Sequence, residues 1–245
     1  MDGLTSFDTV LYSTMVISNK AHMKETTARE DLRYQPLYSA AEVGLYARVQ
    51  PAIVRSWTRA DDRSAVVIPA AKNIVAPLSF INLIEFHVLV ALRRTHRVPM
   101  RKIRNAIEYG KLTYTVEHPL AELDLEADGS EVFVRELGFS VNASRRGQIA
   151  LPEVLSQYLQ RIERDPRHIP IRFYPLTYKD SPKVIVMNPA VAYGRPVIEG
   201  TRITTRMVFE RYTGGESLSD IADDYGLEVS AVEEALRCEV EQRAA

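Results

Sequence analysis

A single cysteine, Cys238, in 245 residues excludes an intramolecular disulfide and any cysteine-rich zinc site. The five histidines, His22, His87, His96, His118 and His168, show no metal-ligand spacing, so neither a metal nor a cofactor is expected. No apolar run approaches the ~20 residues a membrane span needs. No basic segment leads into an apolar core at the N-terminus, which disfavours a signal peptide and points to a cytoplasmic protein. A Gly-rich phosphate loop, HExxH, GxSxG and a paired-carboxylate motif are all missing, so an enzyme is not expected. Cys238 falls in an acidic apolar stretch, where a thiolate is disfavoured. No segment is low in complexity and no period of 20–50 residues repeats.

With 46% apolar and 26% charged residues the composition is that of an ordinary globular protein, long enough for two small domains. The net charge of −1 hides a polarity along the chain. Residues 32–118 carry 13 Lys and Arg against 6 Asp and Glu, a balance of +7, while residues 183–245 carry 7 against 11, a balance of −4. A basic front and an acidic tail call for different partners, and a polyanion suits the front.

The pattern implies a mainly α protein with small β elements. Residues 1–31 lack sustained periodicity and read as a mobile extension; 32–118 form a front domain, 119–182 a mixed middle segment ending in a linker over 177–182, and 183–245 a rear domain. Ser39-Ala40-Ala41-Glu42 is a capping box that starts a helix burying Val43 and Leu45. Pro51 opens a second helix on which Ile53, Val54 and Trp57 recur at helical spacing. The runs Ala65–Ile68 and Asn73–Val75 read as a hairpin. Apolar helices then start at Ser79 and Pro99; His87 within the first reads as a core histidine, and Trp57 with Tyr46 as core. Val132-Phe133-Val134 reads as a short strand, Asp128-Gly129 and Arg146-Gly147 as turns, Pro152 to Ile162 as a helix, and Ile171 to Pro175 as a strand. The rear holds three helices, Thr204–Thr213, Ser217–Tyr225 and Ser230–Val240, the last opened by a second capping box, Ser230 with Glu233.

Helix, short turn, helix and hairpin in that order resemble the winged, MerR-like helix-turn-helix architecture. Such a module lays its second helix in the major groove, so the resemblance makes Gln50, Ala52, Arg55, Ser56 and Arg59, off the Ile53/Val54/Trp57 face, candidate DNA contacts. Arg63 and Lys72 would lie on the wing and reach phosphate or minor groove. Between Glu85 and Glu108 no carboxylate occurs, yet Arg93, Arg94, Arg97, Arg101, Lys102 and Arg104 do, either as a phosphate clamp or as a solvated face. The rear helices, with nine carboxylates between Glu216 and Glu241 against Arg237, suit protein contact, a two-fold homodimer or a partner chain. Arg195, Arg202, Arg206 and Arg211 are expected to remain free for phosphate or an acidic pocket.

Asn188 to Ile203, NPAVAYGRPVIEGTRI, is the most constrained stretch: Asn-Pro turns the chain, Gly194 and Gly200 permit positive φ, and Val197-Ile198 is a short strand. It resembles the NPxxxxGRPxIxGTRI signature of domain of unknown function 433, a small helix-turn-helix family similar to VapB-type antitoxins of type II toxin–antitoxin pairs. The resemblance implies that the chain binds and blocks a PIN-type ribonuclease toxin and represses its own operon on double-stranded operator DNA. A guanidinium among the carboxylates of such a ribonuclease would be the simplest inhibitor, which makes Arg195, Arg202 and Arg243, near a mobile C-terminus, candidate toxin contacts. Equally, Arg195 and Arg202 could hold the signature turns. A free-standing transcription regulator and an interaction scaffold without DNA affinity are the rival readings.

Overall fold

A computed structural model of the chain describes residues 31–59, 66–71, 75–125, 131–138, 153–175 and 182–243. The fold is mainly α with small antiparallel β elements. Helices α1 (Ala40–Tyr46) and α2 (Pro51–Trp57) form the first helix-turn-helix. The capping box expected at Ser39 is present: its hydroxyl accepts from the Glu42 amide while the Glu42 carboxylate accepts from the Ser39 amide. Helix α3 (Phe80–Val90) is buried on every side and runs on into a π turn, Ala91–Thr95. A helix apolar all round can only be the centre of a core. Around it gather α1, α5 (Pro119–Glu122) and α7 (Glu153–Leu159), while α4 (Met100–Tyr114) packs on α6 (Glu131–Glu136) and α5. Gly110 of α4 permits that approach, since a Cβ there would meet Phe133 and Pro119 at 2.8 Å each.

Strands β1 (Ile162–Arg164) and β2 (Pro170–Phe173) pair antiparallel, as do β3 (Ile185–Val186) and β4 (Val197–Ile198), with Ile185 opposite Ile198 and Val186 opposite Val197. A bridge between Phe173 and Met187 joins the two ribbons. The rear helices are α8 (Thr205–Thr213), α9 (Leu218–Tyr225) and α10 (Val229–Arg243). One apolar core runs from Tyr38 to Met187, and a second, of Ile185, Ile198, Val208, Ile221, Ala222, Val232, Ala235 and Cys238, fills the rear.

Several sequence expectations are corrected. Val132-Phe133-Val134 is helix, part of α6, because Phe133 and Val134 both bury, and a short β-branched run fits a buried helix as well as a strand. Of the expected hairpin only 66–71 and Val75 are described, and these are bends or irregular backbone. Val67 and Ile68 bury, and their amides both donate to the Trp57 carbonyl at 3.1 Å, capping the end of α2 instead of pairing as a strand. The helix expected to reach Ile162 stops at Leu159, and Ile162 starts β1. Ser230 caps nothing: α10 begins at Val229, and the Ala231 and Val232 amides donate to the Glu228 carbonyl. The extension but for Asp31, which pairs with Arg33, the turns at 128–129 and 146–147, and the linker but for Pro182 lie outside the described residues.

Two histidines are buried in opposite electrostatic settings. His87, in α3, bonds through Nε2 to the Tyr158 carbonyl (3.0 Å), and burial pushes its pKa down to about 4. His118 places Nδ1 2.9 Å from the Glu85 carboxylate, which also accepts from Asn82 at 3.1 Å. Burial depresses the His118 pKa, but the charge and hydrogen bond of Glu85, with Glu122 nearby, outweigh it and the net shift is upward. Burial also drives the Cys238 thiol well above its usual range.

Candidate nucleic-acid interface and signature turn

The turn between α1 and α2 is tight: the Val49 amide donates to the Gly44 carbonyl (2.8 Å), and Arg48 adopts φ 56°. Val54 is buried, Ile53 is half-buried and Trp57 stacks on Phe86 with centroids 5.9 Å apart, which fixes how α2 rolls on the core. Gln50, Ala52, Arg55, Ser56 and Arg59 are all exposed, and Ala52, Arg55 and Ser56 lie on the side of α2 away from Val54 and Trp57. Arg55 and Arg59 border a shallow groove with Val66 and Val75. Arg63 and Lys72 lie outside the described residues.

The basic run divides. Arg93 donates to the Val98 carbonyl (2.7 Å), and Arg94 to the Arg48 carbonyl (2.6 Å), bracing the helix-turn-helix turn against the end of α3. Arg104 is half-buried, its Nε without a hydrogen-bond partner among the described residues. Arg97, Arg101 and Lys102 face solvent, although Lys102 also passes close to Gly138 at the end of α6. Of the six cations, Arg93 and Arg94 engage backbone carbonyls of the fold, while Arg97, Arg101 and Lys102 face outward.

In the signature, Asn188 closes its turn by accepting from the Ala190 amide (2.9 Å), and Thr201 does likewise for Ile203 (3.0 Å). Ala192, Tyr193 and Gly194 take φ of 46°, 54° and 71° in succession. Left-handed backbone at two non-glycine residues is strained, and such strain persists only where the surroundings enforce it. Here the enforcement is visible: the Tyr38 hydroxyl, fully buried, donates to the Gly194 carbonyl at 2.8 Å. A Cβ on residue 194 would overlap that hydroxyl, which explains the glycine. The turn holds Tyr193 out with 77% of its surface exposed. Sequence reasoning passed over Tyr193; its signal was an aromatic directly before a glycine that must turn.

Arg195 and Arg202 are both exposed but are not neighbours. Val197 bridges Thr204, and the Thr205 amide donates to the Pro196 carbonyl, so Arg195 is set beside the start of α8 and Arg206, while Arg202 stands at the other end of the ribbon. Arg195 approaches Glu42 of α1 at 3.6 Å, and Arg48, in the turn after α1, pairs with Glu241 of α10 at 2.7 Å, so the rear elements contact both α1 and the turn that follows it. Arg243 is the last residue of α10. Arg206 and Arg211 are not free as expected: Arg206 pairs with Glu210 (2.7 Å), and Arg211 with Glu216 and Asp224 while covering the Tyr225 ring. Among the described residues no group of three His, Cys, Asp or Glu is placed to hold a metal, and no helix is long and apolar enough to cross a membrane.

The chain is thus mainly helical, with two helix-turn-helix units, the front one presenting an exposed second helix. Residues 185–237 match the family model DUF433, described as a protein of unknown function. Over 231 residues, 84% of this chain and 95% of the relative, the chain is 29% identical to a Mycobacterium tuberculosis protein named "Putative antitoxin VapB45". It is 26% identical over 166 residues, 62% of this chain and 67% of the relative, to the uncharacterized protein Rv2308 of the same organism. The crystal structure of Rv2018 from Mycobacterium tuberculosis shares the fold, with a TM-score of 0.66 at 29% identity over 83% of this chain and 98% of that one.

Proposed function

We propose that the chain is a VapB-like antitoxin of a type II toxin–antitoxin pair, one that binds and neutralises a PIN-type ribonuclease and represses its own operon through a MerR-like front. The observation that carries this is its similarity, over 95% of the relative's length, to the protein named "Putative antitoxin VapB45". The PIN-type partner follows from the family resemblance. Co-expression with a ribonuclease reading frame adjacent to its gene tests the reading: the pair should co-purify with the ribonuclease silenced, and failure to associate or to inhibit sinks it.

DNA binding is assigned to residues 38–118, supported by the exposed set on α2 and the +7 balance of the front. Arg55→Ala or Arg59→Ala should each cost about 1–3 kcal/mol of operator affinity if the guanidinium reads a base edge. Arg101→Ala should weaken all DNA alike and lower the log–log salt slope by ~0.9. Fluorescence anisotropy on the chain's own upstream DNA measures both, and unchanged binding in all three variants removes the front from DNA recognition.

For the toxin, Arg195→Gln or Arg202→Gln should relieve inhibition of the ribonuclease with the melting temperature unchanged. The structural alternative for Arg195 has a specific form, the 3.6 Å approach to Glu42. Lost stability with inhibition intact would assign Arg195 to that contact alone.

A further inference from the structure

Helix α10 turns Val232, Ala235 and Cys238 into the rear core. Its opposite side carries Val229, Glu233, Leu236 and Val240, spaced 4, 3 and 4 residues apart, the spacing of a coiled-coil seam. Val229 and Val240 are 39% and 51% exposed. Leu218 of α9 joins Leu236 and Val240 in a shallow open groove edged by Glu233, Arg237 and Glu241. We propose that this face is a self-association surface on which α10 of a second copy packs antiparallel about a two-fold axis.

Charge selects the occupant and the direction. A parallel pair in register would bring Glu233 against its own copy at the centre of the seam, a like-charge contact. An antiparallel pair with its dyad midway between residues 234 and 235 sets Val229 on the second copy's Val240 and Leu236 on its Glu233. With a rise of about 1.5 Å per residue, Arg237 then lies within about 1.5 Å, along the axis, of the Glu233 of the second copy, twice over. The apolar ends match and the two ion pairs are self-complementary, as a two-fold contact requires. One helix of 15 residues buries too little for an obligate dimer, so association should be concentration-dependent. Neither toxin nor DNA is required.

Sedimentation velocity on the full chain over a hundredfold range of concentration tests this. The wild type should pass from monomer to dimer. E233R and R237E should each weaken self-association about tenfold by placing like charges together, V240E should do the same, and the double swap E233R/R237E should restore it. All three positions are solvent-facing, and Arg237 also pairs with the buried Glu234 of its own helix at 3.3 Å, so far-UV circular dichroism and melting check that each variant folds before its association is compared. A chain monomeric throughout, or a dimer indifferent to single charge reversal, overturns the proposal. So does a chain that dimerises only after residues 1–30 are deleted, which would make that segment the occupant of the face.

Discussion

Gly194→Ala should lower the melting temperature by roughly 10 °C. Residue 194 has φ 71°, where a side chain costs about 1–2 kcal/mol. The new Cβ would overlap the Tyr38 hydroxyl and lie 3.0 Å from Cζ, so the buried ring must shift and the 2.8 Å bond to the Gly194 carbonyl is lost. An unmade buried hydrogen bond adds about 1–3 kcal/mol. A total of roughly 3–4 kcal/mol, at ~2–4 °C per kcal/mol for a chain of this size, gives that shift. Tyr38→Phe deletes the donor alone and should cost about 2 kcal/mol. In the Tyr38→Phe background Gly194→Ala should cost less than in the wild type, because the hydroxyl it strikes is gone. Differential scanning calorimetry on the three variants decides, and an unshifted Gly194→Ala, or strict additivity in the double variant, refutes the coupling. Since Tyr38 immediately precedes the Ser39 cap of α1, the same bond is what registers the signature turn on the front helix-turn-helix.

Glu85→Ala should be as damaging, by about 3–5 kcal/mol near pH 6, because it strands a buried imidazolium at His118 and leaves the Asn82 amide without that acceptor. The pH dependence separates the two buried histidines. His118 has a folded pKa above its unfolded value of about 6.5, so its contribution is complete below that value and is lost as pH rises through the folded pKa. His87 has a folded pKa of about 4, so its contribution is present above about 6.5 and is lost as pH falls, since only the unfolded chain takes the proton. For His87 that loss amounts to about 3 kcal/mol by pH 4. The two histidines pull in opposite directions on either side of pH 6.5, His87 costing stability as pH falls and His118 as pH rises through its raised pKa. In Glu85→Gln the alkaline decline attributable to His118 should disappear while the acid decline persists. Urea midpoints at several pH values measure this, and an alkaline slope identical in wild type and Glu85→Gln would show that the pair does not titrate with folding.

Where the causes are local, the sequence sufficed. Ser39 and Glu42 form the capping box read from their spacing, whereas Ser230 and Glu233, equally three apart, do not, because α10 starts at Val229 and leaves Ser230 inside the helix. Ile53, Val54 and Trp57 share one side of any helix, so the exposure of Arg55, Ser56 and Arg59 follows once that side packs. Gly194 could be read as a turn glycine, but the reason no other residue fits is a tyrosine hydroxyl 156 residues away. Long-range packing decided the rest. Val132 to Val134 became helix with Phe133 packed against Gly110, and Val67 with Ile68 closed the end of α2 with their side chains buried. The ribbon register separated Arg195 from Arg202, and Arg93 and Arg94 turned from the basic run to backbone carbonyls that only the fold brings near. Spacing determines which residues share a face of an element; what that face meets is set by the free energy of burying it against segments far along the chain.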